Sequence, residues 1–243
     1  MDDVLADPSL AAIFDPARNL PGFKSFLEPV QDIFWVSYTC RNGRTLNNAI
    51  VHATQPGEGD EDLWHSDVSP DKVLAMLKDF HETPRKIVRL ANEDGIKAHH
   101  LFKRPALESF VRGRTVVVGD AAHVMMPTHA AAGSIAIETA ASLEVLFKGV
   151  DGRDGGVMKR RLELFDKLRL PRCNLTMLAS NAGPSFLAVP GVEEEVRKFY
   201  DGPLPPLGAL PWSPEFREVL FHHDAYRAAG DILAAEDVGR FKV

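Results

Sequence analysis

The chain has 243 residues, 45% of them hydrophobic, enough to bury the core of one large domain or two small ones. A formal net charge of −6 and a pI near 5.8 argue against nucleic acid or an anionic membrane as partner. A mildly acidic surface holds a polyanion only through a concentrated basic stripe, and the densest basic run, Lys159-Arg160-Arg161, reads as a solvated helix face.

Cys40 and Cys173 lie far apart with no CxxC spacing, which indicates neither a disulfide framework nor a zinc knuckle. No uncharged stretch approaches the roughly 20 residues of a membrane span, and a cytoplasmic location is expected.

In chain order, residues 32–39 and 45–53 are rich in β-branched and aromatic side chains, and Arg41-Asn42-Gly43 between them predicts a hairpin. Residues 55–62 form a charged, glycine-broken loop. From Pro70 the apolar spacing of Val73, Leu74, Leu77 and Phe80 becomes helical, and a second helix is expected after Pro84. Residues 100–102 and 115–118 read as strands, the latter apolar enough to be covered on both faces.

Val116-Val117-Val118-Gly119-Asp120-Ala121-Ala122-His123 is the most informative run. An apolar strand ending in Gly-Asp, then a loop with Met126-Pro127, then a helix over 135–146 sets a carboxylate and unpaired amides at a sheet's carboxyl edge, where open α/β sheets hold cofactors. A glycine-rich break follows at 149–156, then a helix over 157–180 that Pro171 is expected to kink or divide. Pro203, Pro205, Pro206 and Pro211 mark an extended connector, and one or two helices close the chain over 214–235.

The words GDAAH…MP and AIETAASLEVLF resemble the second flavin-contacting motif of FAD-dependent aromatic-ring monooxygenases, the salicylate-hydroxylase-like flavoprotein hydroxylases. The flanks YTCRNGRTLNNAIVHA, ALESFVRGRTVVVGDAAH, RLPRCNLTMLASNAG and EVLFHHDAYRAA resemble that family's central hairpin, lead-in strand and two C-terminal helices, in the family's order. The resemblance implies a partial flavoprotein-hydroxylase fold of the α+β or α/β class. It would hold an antiparallel substrate-domain sheet and C-terminal helices, without the N-terminal Rossmann βαβ unit. The corresponding division is 1–112 for the substrate-binding portion, 113–150 for the FAD-contacting strand, loop and helix, and 151–243 for the helical region.

By the same resemblance Asp120 would accept hydrogen bonds from the ribityl hydroxyls of FAD, with Pro127 in the contacting loop. Gly133 and Ser134 would present helix amides to the pyrimidine end of the ring, where two-electron reduction places negative charge. A turn-capping Asp and an ordinary Ser N-cap are the alternatives. Tyr38 matches an active-site tyrosine that could hydrogen-bond or help deprotonate a phenolic substrate, the alternative being an aromatic packed on a sheet face. Arg169 and Arg172 resemble paired arginines of the family and are expected in surface or interface salt bridges. The adjacent histidines His99-His100 and His222-His223 lack the i,i+4 spacing of a zinc site, and no metal is expected.

The chain departs from the family pattern at Thr139, where an acidic residue is usual, at Val124, where a proline is usual, and in two further features. Ala131-Ala132 stand where Gln-Gly is usual, with a cost on the order of 1 kcal/mol if a positive φ is retained there. No GxGxxG turn that would hold a dinucleotide pyrophosphate occurs. The function implied is an FAD-binding monooxygenase, using NAD(P)H and O2 on an aromatic or polyketide-type substrate, in N-terminally truncated form. A second polypeptide or self-association would cover the missing half. The alternatives are a catalytically inactive remnant acting as a binding or interaction module, and a small-ligand binder without a redox cofactor.

Overall fold

Three consecutive left-handed residues make the first tight turn. Arg41, Asn42 and Gly43 have φ of 50°, 57° and 75°, a region that glycine adopts freely and asparagine tolerates. The turn joins β2 (Ile33–Cys40) to β3 (Thr45–Val51) as the sequence predicts. Strand β1 (Phe23–Glu28) pairs with the other edge of β2, giving an antiparallel sheet in the order β1-β2-β3. The computed structural model describes residues 1–19, 22–28, 33–54, 66–92, 95–183, 186–209 and 212–240. Asp32 and the predicted loop 55–62 lie outside the described residues.

The chain divides into two units, Met1–His100 and Leu101–Val243. In the first, α1 (Asp2–Ala6), α2 (Pro8–Phe14), α3 (Pro70–Met76) and α4 (Glu82–Arg89) cover one face of the sheet. That face carries Ile33, Trp35 and Ser37, all buried. Trp35 is 0% exposed, with its ring 5.5 Å from Phe26 and 6.3 Å from Phe80, and its indole N–H donates to Asn48 Oδ1 at 3.2 Å. Period-two alternation turns Phe34, Val36 and Tyr38 to the other face, where Tyr38 is 43% exposed and registers with Phe23 and Asn47.

Asp7 caps α2 by accepting from the Ser9 and Leu10 amides, and Lys86 of α4 reaches the same carboxylate at 2.7 Å. Helix α4 begins at Glu82, earlier than predicted, with Pro84 inside its first turn, where the missing N–H costs little. The strand predicted at 100–102 is irregular. The pairing instead joins β4 (Ser66–Asp67) to β5 (Lys97–Ala98).

The second unit is built on α7 (Gly155–Ala182), capped by Asp154 and continuous through Pro171, which does not divide it. Helices α6 (Ala132–Phe147) and α10 (Ala225–Arg240) enclose one apolar cluster with α7 around Phe110, Ile135, Leu146 and Phe165. A second cluster joins α7 to α8 (Val192–Arg197) and α9 (Pro214–Leu220) through Leu175, Phe186, Val196 and Phe216. The predicted strand 115–118 is shorter and more open than expected. Among the described residues β7 (Thr115–Val116) pairs only with β6 (Val111–Arg112), and Val118 is 42% exposed. No helix among the described residues is long and apolar enough to cross a membrane.

The two faces of the sheet differ in what they contribute to stability. Trp35→Ala should cost about 3–5 kcal/mol in denaturant unfolding, whereas Tyr38→Ala should stay within about 1 kcal/mol. Equal losses would contradict the one-sided burial.

Candidate functional site

Gly119 adopts φ 59° and ψ −143°, a conformation open to glycine alone, and so turns the chain sharply from β7 into α5 (Asp120–His123). The turn leaves the Asp120 side chain exposed at the first position of that helix. At its other end, Arg104 donates to the carbonyls of Ala121 and Ala122 at 2.7 and 2.6 Å, placing a cation on the helix C-terminus.

The loop that follows is anchored at both sides of the exposed Pro127. The Met126 amide donates to Asn181 Oδ1 at 3.0 Å, and the Thr128 hydroxyl donates to the Ser180 carbonyl at 2.6 Å. His129 closes the short 3-10 turn Pro127–His129 and is buried 4.8 Å from the Phe216 ring. The backbone strain expected around Ala131-Ala132 lies one residue earlier: Ala130 has φ 49°, and Ala131 has φ −98°.

Helix α6 starts at Ala132, so Ser134 is its third residue and not its N-cap, a position held by Ala131 without a side-chain bond. Ile135 is the first residue to donate back to Ala131, at 3.0 Å, so the amides of Ala132, Gly133 and Ser134 precede the intrahelical ladder. Gly133 and Ser134 are exposed. Asp120, Pro127, Gly133 and Ser134 thus share one unit and open outward, while Tyr38 belongs to the other unit.

Arg169 and Arg172 form salt bridges as expected, but inside the unit and not at its surface. Both are buried, and they grip one carboxylate from α6. Arg172 binds Glu138 through Nε at 3.2 Å and Nη2 at 2.9 Å, and Arg169 through Nη1 at 3.0 Å. Arg169 Nη2 also donates to the Ile135 carbonyl at 3.2 Å, and Arg172 to the carbonyls of Val219 and Leu220 at the end of α9 at 3.1 and 2.7 Å. Burial would raise the Glu138 carboxyl, but the hydrogen bonds from Arg172 and the charges of both arginines overcome it and hold the group below the usual carboxylate range.

Three α7 side chains escaped notice in the sequence. Asp166 accepts from the Phe110 amide at 2.7 Å, Asn174 donates to the Leu107 carbonyl at 2.9 Å, and Asn181 accepts from Met126. Their spacing of eight and seven residues, which sets them on one helix face, was the available signal. Two shallow clefts lie elsewhere. One is lined by Ser9, Ile13, Phe26, Phe80, His81 and Pro84, the other by Ser109, Val111, Glu163, Asp166, Lys167 and Pro171.

The fold that carries this glycine-turned carboxylate and open helix N-terminus in one unit is part of the flavoprotein hydroxylase fold. Over 96% of this chain the fold matches CtdE, solved with FAD and a substrate, with TM-score 0.68 and 15% identity. A salicylate hydroxylase–substrate complex matches 86% of it with TM-score 0.62 and 19% identity. In sequence the chain is related to FAD-dependent monooxygenases: nodY2 of Hypoxylon pulicicidum is 30% identical over 179 residues, 72% of this chain. The chain spans only 37% of nodY2 and 53% and 49% of the two solved proteins. No family model matches it.

The loop carries a built-in acid sensitivity. Burial pushes the His129 imidazole down to about 4, and neither ring nitrogen has a hydrogen-bond partner. The fold therefore binds the neutral ring, and the unfolded chain takes up the proton first. Stability from this group is complete above an unfolded value of about 6.5 and is lost as pH falls toward 4. Between pH 7.5 and 5 the loss should be about 2 kcal/mol, and His129→Phe should remove about that much of the pH dependence of urea unfolding. An unchanged slope in that variant would contradict the assignment.

Proposed function

We propose that these 243 residues form the part of an FAD-dependent aromatic monooxygenase that receives the flavin ring and ribityl chain and supplies one wall of the substrate site. The observation that carries this reading is the outward-facing Asp120 on the Gly119 turn, in the same unit as the open α6 N-terminus, in a chain related to FAD-dependent monooxygenases. The donor set suits the group: a carboxylate accepts from polyol hydroxyls, and free helix amides favour an electron-rich ring edge.

Bound there, FAD would supply the NAD(P)H-dependent reduction and O2 activation that put one oxygen on an activated ring. The chain's own residues have simpler tasks. Asp120 orients the ribityl chain, the amides of Gly133 and Ser134 meet the pyrimidine edge, and Pro127 shapes the loop between them. Tyr38, exposed on the sheet face opposite Trp35, accepts a hydrogen bond from a phenolic hydroxyl through its own oxygen, which polarises that O–H and raises ring nucleophilicity. The pyrophosphate would be held by residues outside these 243, from a longer chain, a second polypeptide or a second copy, in a cytoplasmic setting.

Exposed Phe102, Val118 and Ile137 favour a second reading, an interaction module whose apolar surface takes a protein partner. A titration separates the two. The 243-residue chain should quench FAD fluorescence saturably, and Asp120→Ala should weaken binding at least tenfold with an unchanged unfolding midpoint. Absence of flavin binding by the wild-type chain, or equal binding by the variant, would overturn the proposal.

A further inference from the structure

The buried cluster between α6 and α7 contains two guanidiniums and one carboxylate, an imbalance that the proposed flavin site does not by itself explain. Arg172 alone satisfies Glu138 with a two-point contact, Nε to Oε2 at 3.2 Å and Nη2 to Oε1 at 2.9 Å. Its other partners are the Val219 and Leu220 carbonyls, which are dipoles without formal charge. Arg169, 0% exposed, shares Oε2 and turns its remaining amine to the Ile135 carbonyl, and its Nε has no partner. The imidazole of His223 is held toward its uncharged form by burial and by Arg172. Asp224, the next residue, is exposed and accepts from the Arg227 amide at 2.9 Å.

A formal charge of +1 is therefore left inside the fold, against the first turn of α6. Ile135, whose carbonyl Arg169 holds at 3.2 Å, directly follows Ser134. The charge contacts the carbonyl of the residue that follows Ser134, so it lies within the first turn of α6 and acts on a ligand at that helix end with the same sign as the positive end of the helix dipole.

We propose that Arg169 is a positioning residue that sets the electrostatic preference of this site, its uncompensated charge favouring a reduced, anionic flavin ring over the oxidised, neutral one. The inference rests on the flavin reading above and extends it to a residue that touches no ligand. A unit charge roughly 10 Å away through an effective dielectric of about 20 changes an equilibrium by about tenfold. Low exposure keeps salt from screening it.

The test uses the 243-residue chain under anaerobic conditions at pH 8, with oxidised FAD and dithionite-reduced FAD as probes. The pyrophosphate charge is the same in both forms and cancels in the ratio of their dissociation constants. Arg169→Met, which leaves Glu138 its two-point contact with Arg172, should reduce the preference for reduced FAD about tenfold. Glu138→Gln, which leaves both guanidiniums, should increase it by a similar factor, and it tests the same claim should Arg169→Met not fold. A purely structural role would move both variants in the same direction. Binding of both forms with an unchanged ratio, or shifts of equal sign, would overturn the inference and leave the flavin reading intact. Wild-type chain that binds neither form would overturn both.

Discussion

One carboxylate held by two guanidiniums governs where the second unit places α6. Glu138 lies one turn beyond Ser134, and its contacts with Arg169 and Arg172 tie the start of α6 to the middle of α7 and the end of α9. Such a cluster is weak evidence for net stability, because desolvating three charges offsets much of their attraction. Its value is geometric: removal of Glu138 would strand two buried guanidiniums at a cost of about 3–5 kcal/mol, and each arginine adds a fixed contact to it, so alternative seatings of α6 are disfavoured. Packing of Ile135 and Leu146 seats α6 in the apolar cluster, and the Glu138 contacts add a directional constraint to it.

The same helix α7 holds the segment that leads into the site. Asp166, Asn174 and Asn181 bond the backbone at Phe110, Leu107 and Met126, and Ser180 adds the Thr128 contact. The first three bonds fix backbone groups of the irregular chain and the fourth holds the Thr128 hydroxyl on the Ser180 carbonyl, so the segment follows a defined path. The result is a loop whose ends are pinned and whose middle, at Pro127, faces outward. The path of this segment thus depends on polar side chains of α7.

The hairpin was legible because turn chemistry and alternation agree: Asn42-Gly43 supply left-handed residues and Trp35 sits on the inward phase. The Gly119-Asp120 turn was legible for a similar reason, since glycine there answers a backbone demand. The ion pairing of Arg169 and Arg172 was legible, but their burial was not, because only the three-dimensional arrival of Glu138 and the α9 carbonyls makes it tolerable. Pro171 failed as a helix breaker because its neighbouring turns are held from outside, by Asp166 at Phe110 and Asn174 at Leu107. Residues 115–118 promised a strand buried on both sides, but among the described residues Thr115 and Val116 pair only with the adjacent hairpin strand. The strain attributed to Ala131-Ala132 moved to Ala130, because the 3-10 turn ends one residue before the helix cap.

The most direct test of this account is backbone hydrogen exchange in the Arg172→Leu chain, with the wild type as reference. Amides over residues 135–142 at the start of α6 should exchange at least tenfold faster while those of β2 in the other unit keep their protection. Unchanged protection of α6 in that variant would show that packing alone seats the helix and would remove the central role given to the Glu138 cluster.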